Sequence, residues 1–515
     1  MSIAANSELP PLRGGPLWVA AVALALGTFM QVLDSTIANV SLTTIAGNLG
    51  VSSDNSTWVI TAFAVANGVT VPLTGWLMGR FGVVKTFVVS VSLFTIASFT
   101  CGIAWSLTSL VVFRLIQGGV SGPLIPGSQA LLISIFPETK RGTALGLWST
   151  TALVGPVAGP ILGGYISDNY HWGWIFLINV PVGIVCAGVS WYLLRDRETP
   201  SRPIPIDKMG LFLLALWVGS LQVMLDLGKN ADWFNNGLIT VLGIVAVIGF
   251  IAWVIWETTD DHPAVDLSLF KNRNFALGTL AFSFGYALFF ANNLLLPLWL
   301  QSQLNYTATW AGLVSAPSGL VAVICTPLLG RLNGRIDMRW LATISFAAFG
   351  ISYFLRSGYN TDADFLHFVL PLLIQGVAMS IFFMSMVTLS LDGVAGDRVP
   401  SATGISNFAR ITSGGFAASL ITTWWDRREA LHQSRLVDSA TAYSPTYNAA
   451  LQQLQATGLS ETQAAGAVTR QIVGQAYLLS ATDLFWLCGW ISFALVAIVW
   501  LARKPAPMMG VIAAD

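Results

Sequence analysis

Fourteen stretches of this 515-residue chain are apolar for long enough to cross a lipid bilayer, which takes about 20 mostly apolar residues in a helix. Six lie near 17–41, 57–78, 84–105, 108–135, 143–166 and 173–194. Two follow near 209–227 and 237–257, and six more near 275–300, 309–330, 340–357, 366–390, 401–425 and 476–502. The expected fold is an all-α integral membrane protein arranged as six, two and six helices. Only 10% of residues are charged and 54% are apolar, against about 25% charged in soluble domains. So little charge cannot cover a soluble surface of this size, and most of the exterior must face lipid. The apolar run from Leu17 is too long for a signal-peptide core and has no small-residue cleavage site after it, so it is expected to stay as the first span.

Several classes of function are disfavoured. The formal net charge is zero, which suggests no nucleic-acid partner. Cys101, Cys186, Cys325 and Cys488 are isolated in apolar segments, and the four histidines are scattered. Neither a disulfide framework, a metal site nor a cofactor is indicated. No GxxxxGK[ST] phosphate loop occurs, so ATP hydrolysis by this chain is not expected.

Lys and Arg set the orientation. With the N-terminus in the cytoplasm, most of the 25 fall on the cytoplasmic side, and both termini end there. Lys229, Arg356, Arg427, Arg428, Arg435 and Arg470 fall outside. PLTGWLMGRFG (Pro72–Gly82) lines up with PLLGRLNGRID (Pro327–Asp337), each at the cytoplasmic end of the second span of its half. Two related halves are an expected architecture for a secondary transporter; convergent turn chemistry is the plainer explanation. The reading divides the chain into a six-helix half (1–200), two extra helices (201–262) and a second half (263–515) that includes an outer polar loop, 426–475.

Charged residues inside a membrane are costly and mark cavities or proton paths. Gln31, Asp34, Ser35, Ala38 and Asn39 share one side of the first span, so Asp34 is the leading proton carrier. Arg114, which cannot lose its proton, must pair with Asp34 or a backbone carbonyl. Their aligned positions in the second half are Leu288 and Leu372, so coupling would be asymmetric. Arg410 with Asn407 is a weaker candidate, and Asp226 and Asp483 are expected to be structural. The substrate cavity should be mostly apolar with few polar groups; Gln31, Asn39, Gln117, Asn292, Asn293, Asn407 and Arg410 are the candidates.

GLWSTTALVGPVAGPILGG (Gly146–Gly164) sets five glycines and two prolines in a helical, apolar stretch. Gly155, Gly159 and Gly163 are four apart and share a face, which lets helix backbones approach closely in lipid. Gly146 lies on roughly the opposite face. Pro156 and Pro160 free carbonyls and favour a bend. Plain packing explains this as well, except that the aligned stretch of the second half lacks the pattern.

These motifs resemble the major facilitator superfamily, and more narrowly its fourteen-span drug:proton antiporters of the EmrB type. LDSTIANV (Leu33–Val40) is similar to the first-span signature. FRLIQG (Phe113–Gly118) is similar to the fourth-span motif. Gly146, Gly155, Gly159, Pro160, Gly163 and Gly164 match the fifth-span antiporter motif at every defined position. HWGWIFLINVPVG (His171–Gly183) and VDLSLFKNRNF (Val265–Phe275) resemble further landmarks. Gly75, Arg80 and Gly82 match the cytoplasmic loop motif, but Gly79 stands where an acidic residue is usual. The resemblance implies proton-coupled export of hydrophobic or amphipathic drugs across the inner membrane, with the fifth-span motif governing conformational exchange. It also implies a periplasmic membrane-fusion adaptor (EmrA-like) and an outer-membrane channel (TolC-like), with 426–475 as a candidate docking surface. In that loop, SETQ (Ser460–Gln463) has capping-box spacing and predicts a short helix. A proton-coupled symporter of a small metabolite is the alternative on the same scaffold, and an embedded sensor or redox enzyme is the alternative from another class.

Overall fold

The computed structural model describes residues 12–51, 56–137, 140–201, 205–330, 336–361, 363, 365–441 and 443–504. The first half holds α1 (Gly14–Val40), α2 (Trp58–Thr70, continued by Thr74–Phe81 after a 58° bend), α3 (Val83–Gly102), α4 (Leu107–Ile135), α5 (Arg141–Asn169) and α6 (Trp174–Arg197). Next come α7 (Lys208–Gly228) and α8 (Gly237–Thr259). The second half holds α9 (Arg273–Gln303), α10 (Ala308–Gly330), α11 (Met338–Arg356), α12 (Phe365–Leu391), α13 (Val399–Ser439) and α14 (Glu461–Leu501). Helices thus stand at all fourteen expected places. By length and composition, eleven of the described helices qualify as membrane spans, or twelve with the bent pair α2. The expected fourteen is therefore not reached on that measure. In α10 the qualifying apolar stretch is short, Trp310–Thr326. In α13 the buried Thr403, Ser406, Asn407 and Arg410 face the bundle interior and dilute its apolar character.

Short polar signals start the helices. The Asp207 side chain accepts from Gly210 N at 2.8 Å, Asn236 from Leu238 N at 2.9 Å and Asn272 from Asn274 N at 2.9 Å. These satisfy backbone donors that a helix start otherwise leaves unpaired. The bend in α2 falls at Pro72, where proline removes a helical donor. By contrast α5 runs as one helix through Pro156 and Pro160.

Exposed apolar residues clothe the outside: on α8 alone, Leu238, Val241, Ile244, Val247, Ile248, Ile251 and Ile255 are exposed. In a multi-pass membrane protein these face lipid. Aromatic rings fill the second half, where Phe282, Phe382 and Phe383 lie with centroids 5.5 Å apart. The extra helices pack on each other through Trp217 and Trp253 (5.6 Å), and α7 lies against α2 and α13.

The halves meet closely at one end of the bundle. A Cβ on Gly75 of α2 would lie 2.6 Å from the Ser401 Cα of α13. Asn407 donates to Gln129 of α4 at 2.7 Å. Along the seam, α5 runs beside α10, and Trp148 meets Phe383 edge-on at 5.9 Å.

One expectation changes. The outer segment 426–475 is mostly helix: α13 and α14 each run 41 residues, about 60 Å, twice the roughly 30 Å hydrocarbon core. The helix Pro445–Ala456 lies between them and packs on α14. Hydropathy falls at the membrane edge, but helix-forming Ala, Gln and Leu carry the helices on. Arg428 and His432 of α13 hold Asp483 of α14 at 2.7 and 2.8 Å. The Ser460 capping box forms, with Gln463 N to Ser460 Oγ at 3.3 Å and Ser460 N to Gln463 Oε1 at 3.0 Å. Arg356 is fully buried at the end of α11.

Glu198, just after α6, caps α3 from a distance in sequence. Its carboxylate accepts from Val84 N (3.0 Å) and Lys85 N (2.7 Å). Gly82 permits this: its φ is +92°, and a Cβ there would sit 2.3 Å from Glu198 Oε1. Glu198→Ala is expected to lower stability by about 1 kcal/mol, the usual worth of a helix cap. Melting in detergent should show the loss, with a smaller one for Glu198→Gln, which keeps an acceptor.

Candidate functional site

Helix periodicity puts Arg114 and Gln117 one turn apart on α4, facing Asp34 on α1. Asp34 and Arg114 are 0% and 1% exposed, and Arg114 Nη1 lies 2.5 Å from Asp34 Oδ2. Gln117 Nε2 donates to Asp34 Oδ1 at 3.0 Å and Asn179 Nδ2 of α6 donates to the same oxygen at 2.9 Å. Asn179 also donates to Ser98 Oγ of α3 at 3.1 Å. Donors from α4 and α6 therefore converge on the α1 carboxylate, and α3 supports one of them through Ser98.

Close backbone approach makes the reach possible. A Cβ on Gly118 would lie 2.4 Å from the Phe63 carbonyl oxygen of α2. With α4 seated that near α2, Arg114 Nε donates to the Val59 carbonyl at 3.1 Å. The Phe63 and Phe176 rings flank the guanidinium at 4.2 and 5.3 Å, an added cation–π attraction. Arg114 thus engages both an acid and a backbone carbonyl.

Every described partner of Asp34 is a donor, and that suits an ionised carboxylate, which only accepts. A proton on either oxygen would compete with one of them. Asp34 and Arg114 thus form a buried charge pair.

The other sequence candidates fall elsewhere. Gln31 is buried one turn before Asp34, but its Oε1 meets no donor among the described residues. The Asn39 side chain lies outside the described residues. Asn407 and Arg410 form a separate cluster at the seam. There Arg410 donates to Asn407 Oδ1 from Nε (3.2 Å) and Nη2 (3.1 Å) and stacks on Tyr286 at 4.5 Å. Asn292 donates to the Leu288 carbonyl at 2.8 Å, while Asn293 lines a small cavity with Gln375. Among the described residues no group of three His, Cys, Asp or Glu is placed to hold a metal.

The fifth-span motif sorts by contact. Gly155, Gly159 and Gly163 face α1 at Val32, Thr36 and Ile37. Gly146 faces Thr326 of α10, and Gly164 has nothing within 4 Å of its added Cβ. The Pro160 side chain lies outside the described residues. Of the loop motif, Gly75 meets α13, Gly82 makes room for Glu198, and Arg80 lies over Trp76 at 5.5 Å. In the second copy of that loop, residues 331–335 lie outside the described residues.

Asn179, Ser98 and Gln129 were missed in the sequence. Neutral polar residues are common in membrane helices, and only Asn179, alone in the apolar run of α6, gave a signal.

The family profile Major Facilitator Superfamily matches residues 24–419. The chain is 47% identical to the multidrug export protein EmrB of Haemophilus influenzae, over 97% of this chain and 98% of that one. It is 48% identical to the protein of the same name from Escherichia coli K12, over 96% and 97%. It is 46% identical to the fatty acid resistance protein FarB of Neisseria gonorrhoeae, over 97% and 98%. The solved structure of the human organic anion transporter MFSD10 superposes with a TM-score of 0.57, at 13% identity over 94% of this chain and 100% of that one. That likeness concerns the fold alone.

Proposed function

The chain belongs to the major facilitator superfamily, and on that premise we propose that it exports hydrophobic or amphipathic toxic compounds across the bacterial inner membrane in exchange for protons. Whole-length similarity to proteins named for drug export supports the direction and the substrate class. The observation that carries the proton coupling is the buried Asp34–Arg114 pair.

In this reading Arg114 and a proton are alternative partners for Asp34. With Arg114 engaged, the carboxylate stays ionised. When the halves move, α4 carries Arg114 away from α1, and the isolated carboxyl takes a proton from the outer side. Coupling then needs no covalent step, only different affinities in two states. Helix α5 transmits the change, because its glycine face lies on the same turn of α1 as Asp34. Both termini sit in the cytoplasm, and the end sealed at Gly75–Ser401 and Gln129–Asn407 is the inner one. Cavity groups are drawn from Gln31, Gln117, Asn292, Asn293, Asn407 and Arg410.

The outer ends of α13 and α14 project beyond the bilayer and are the docking surface for a periplasmic adaptor leading to an outer-membrane channel. Their length supports this, since a lid would not need helices twice the membrane thickness.

Purified protein in proteoliposomes with an internal pH reporter tests the exchange. A gradient of a hydrophobic drug should drive protons in the opposite direction. Protons moving with the drug would mean symport and end the exporter reading.

A further inference from the structure

Helix α7 lies in the seam between the two halves, against α2 of the first and α13 of the second. A Cβ on Gly68 of α2 would lie 2.9 Å from Val218 Cγ1, and one on Gly415 of α13 would lie 3.7 Å from Gln222 Oε1. Further out, Ser419 Oγ donates to the Leu225 carbonyl at 2.7 Å. Trp233, just past α7, donates to Thr423 Oγ1 at 3.0 Å, and Lys229 pairs with Asp426 at 2.8 Å. One helix of the extra pair is thus bound to both halves.

Asp226 sits among these contacts, and its surroundings do not complete its carboxylate. Gln222 Nε2, one turn back on α7, donates to Oδ1 at 3.0 Å. Oδ2 is buried and meets no donor among the described residues. The groups that act on the carboxyl are Thr61 of α2 and Gln222, both neutral.

No cation on the packed elements serves it. Lys229 is taken by Asp426. The outer part of α2, Trp58–Thr70, carries no charge, and the one charge of α8, Glu257, is at its other end. On α13, Arg410 is held by Asn407, Arg427 is exposed, and Arg428 and His432 hold Asp483. The remaining titratable groups at this end, Asp232, Asp426 and Glu429, are acids. The Lys and Arg outside the described residues belong to the turns after α6 and α10, at the other end of the bundle.

Asp34 supplies the contrast, with three donors, one of them a guanidinium. An ionised carboxylate only accepts, so at Asp226 a charge would be buried with a single neutral donor, which is costly. The neutral acid fits. Oδ2 then carries the proton, and Thr61 faces it as an acceptor, because the Thr61 hydroxyl gives its own proton to the Thr57 carbonyl at 3.2 Å.

We propose that Asp226 is a second proton-binding site, filled while α7 is seated in the seam. When the halves move, α7 cannot keep both sets of contacts, and water admitted beside Asp226 lets the proton leave. That place in the transport cycle rests on the proton-exchange reading. The bound proton does not, so it is tested on purified protein with no gradient, and a failure of exchange in proteoliposomes leaves the test unaffected.

Asp226→Asn keeps the shape and the neutrality of the protonated acid, with Nδ2 donating where the acid gives its hydroxyl. In the infrared at about pH 5, where an ordinary Asp with a pKa near 3.9 is ionised, wild type should show a carboxylic-acid C=O stretch that the variant lacks. Melting of the full chain in detergent gives the second readout. The two proteins should melt alike at about pH 4, where native and unfolded chains both hold the proton. Wild type should then fall below the variant as the pH rises, until the native chain releases its proton, and the curves should run parallel beyond that. Identical carboxylic-acid bands in the two proteins overturn the proposal. So does an Asp226→Asn that melts below wild type at neutral pH or fails to fold, since the site would then need the charge.

Discussion

Asp34→Asn is expected to abolish drug-driven proton movement and to destabilise the protein, while Arg114→Met destabilises it by a similar amount. Both partners are buried, so removing either leaves the other without compensation. That typically costs about 3–5 kcal/mol. In Asp34→Asn the orphan is a guanidinium that cannot lose its charge. Among the described residues its other partners are the Val59 carbonyl, Gln117 Oε1 and two aromatic faces, and none of them carries a negative charge. The double variant Asp34→Asn/Arg114→Met removes both charges and should recover much of the stability lost by either single change. Melting of the four proteins closes a double-mutant cycle. Proton flux in proteoliposomes gives the functional half: the double variant should be stable yet uncoupled. Losses that simply add would mean the two charges do not interact. Proton counterflow that survives in Asp34→Asn would keep the exchange but move its proton site to another carboxyl.

The sequence exposed these two residues because a charge in an apolar run is costly wherever it lies, and composition alone reveals it. Their pairing was only one of the options, since they are 80 residues apart and helix periodicity does not say which faces meet. Arg356 escaped for the opposite reason. It ends α11, and a charge at the end of an apolar run reads as a loop residue. Only packing shows that it turns inward. Glu198 was hidden too, because a cap supplied from across the structure leaves no local pattern. The outer extensions of α13 and α14 read as a loop because hydropathy measures the membrane and not the helix. Fourteen apolar stretches were plain, while the bend at Pro72 and the continuity of α5 through its prolines depend on neighbours that the motif does not name.

The glycines of α5 give the sharpest separation between motif and contact. By sequence Gly159 and Gly164 count equally. In the structure a Cβ on Gly159 would lie 2.1 Å from Thr36 Oγ1, 2.7 Å from Thr36 Cβ and 3.2 Å from the Ile37 backbone nitrogen. A rotamer change can move the hydroxyl but not the Cβ or the backbone, so α1 and α5 must part. Overpacking of this kind costs about 1–3 kcal/mol, and it strikes α1 within a turn of Asp34. A Cβ on Gly164 meets nothing within 4 Å, and alanine there should firm the helix by about 0.5–1 kcal/mol. Gly159→Ala should therefore lose most drug efflux at near-normal abundance in the membrane, while Gly164→Ala keeps it. Adding Thr36→Ala to Gly159→Ala removes the nearest atom but leaves the Cβ, so it should restore efflux only in part. Efflux from cells, normalised to membrane abundance, measures all three. Equal loss at both glycines would return the motif to a general need for flexibility. Full activity in Gly159→Ala would mean that α1 and α5 need no close contact during transport, and the mechanical link from α5 to Asp34 would be lost with it.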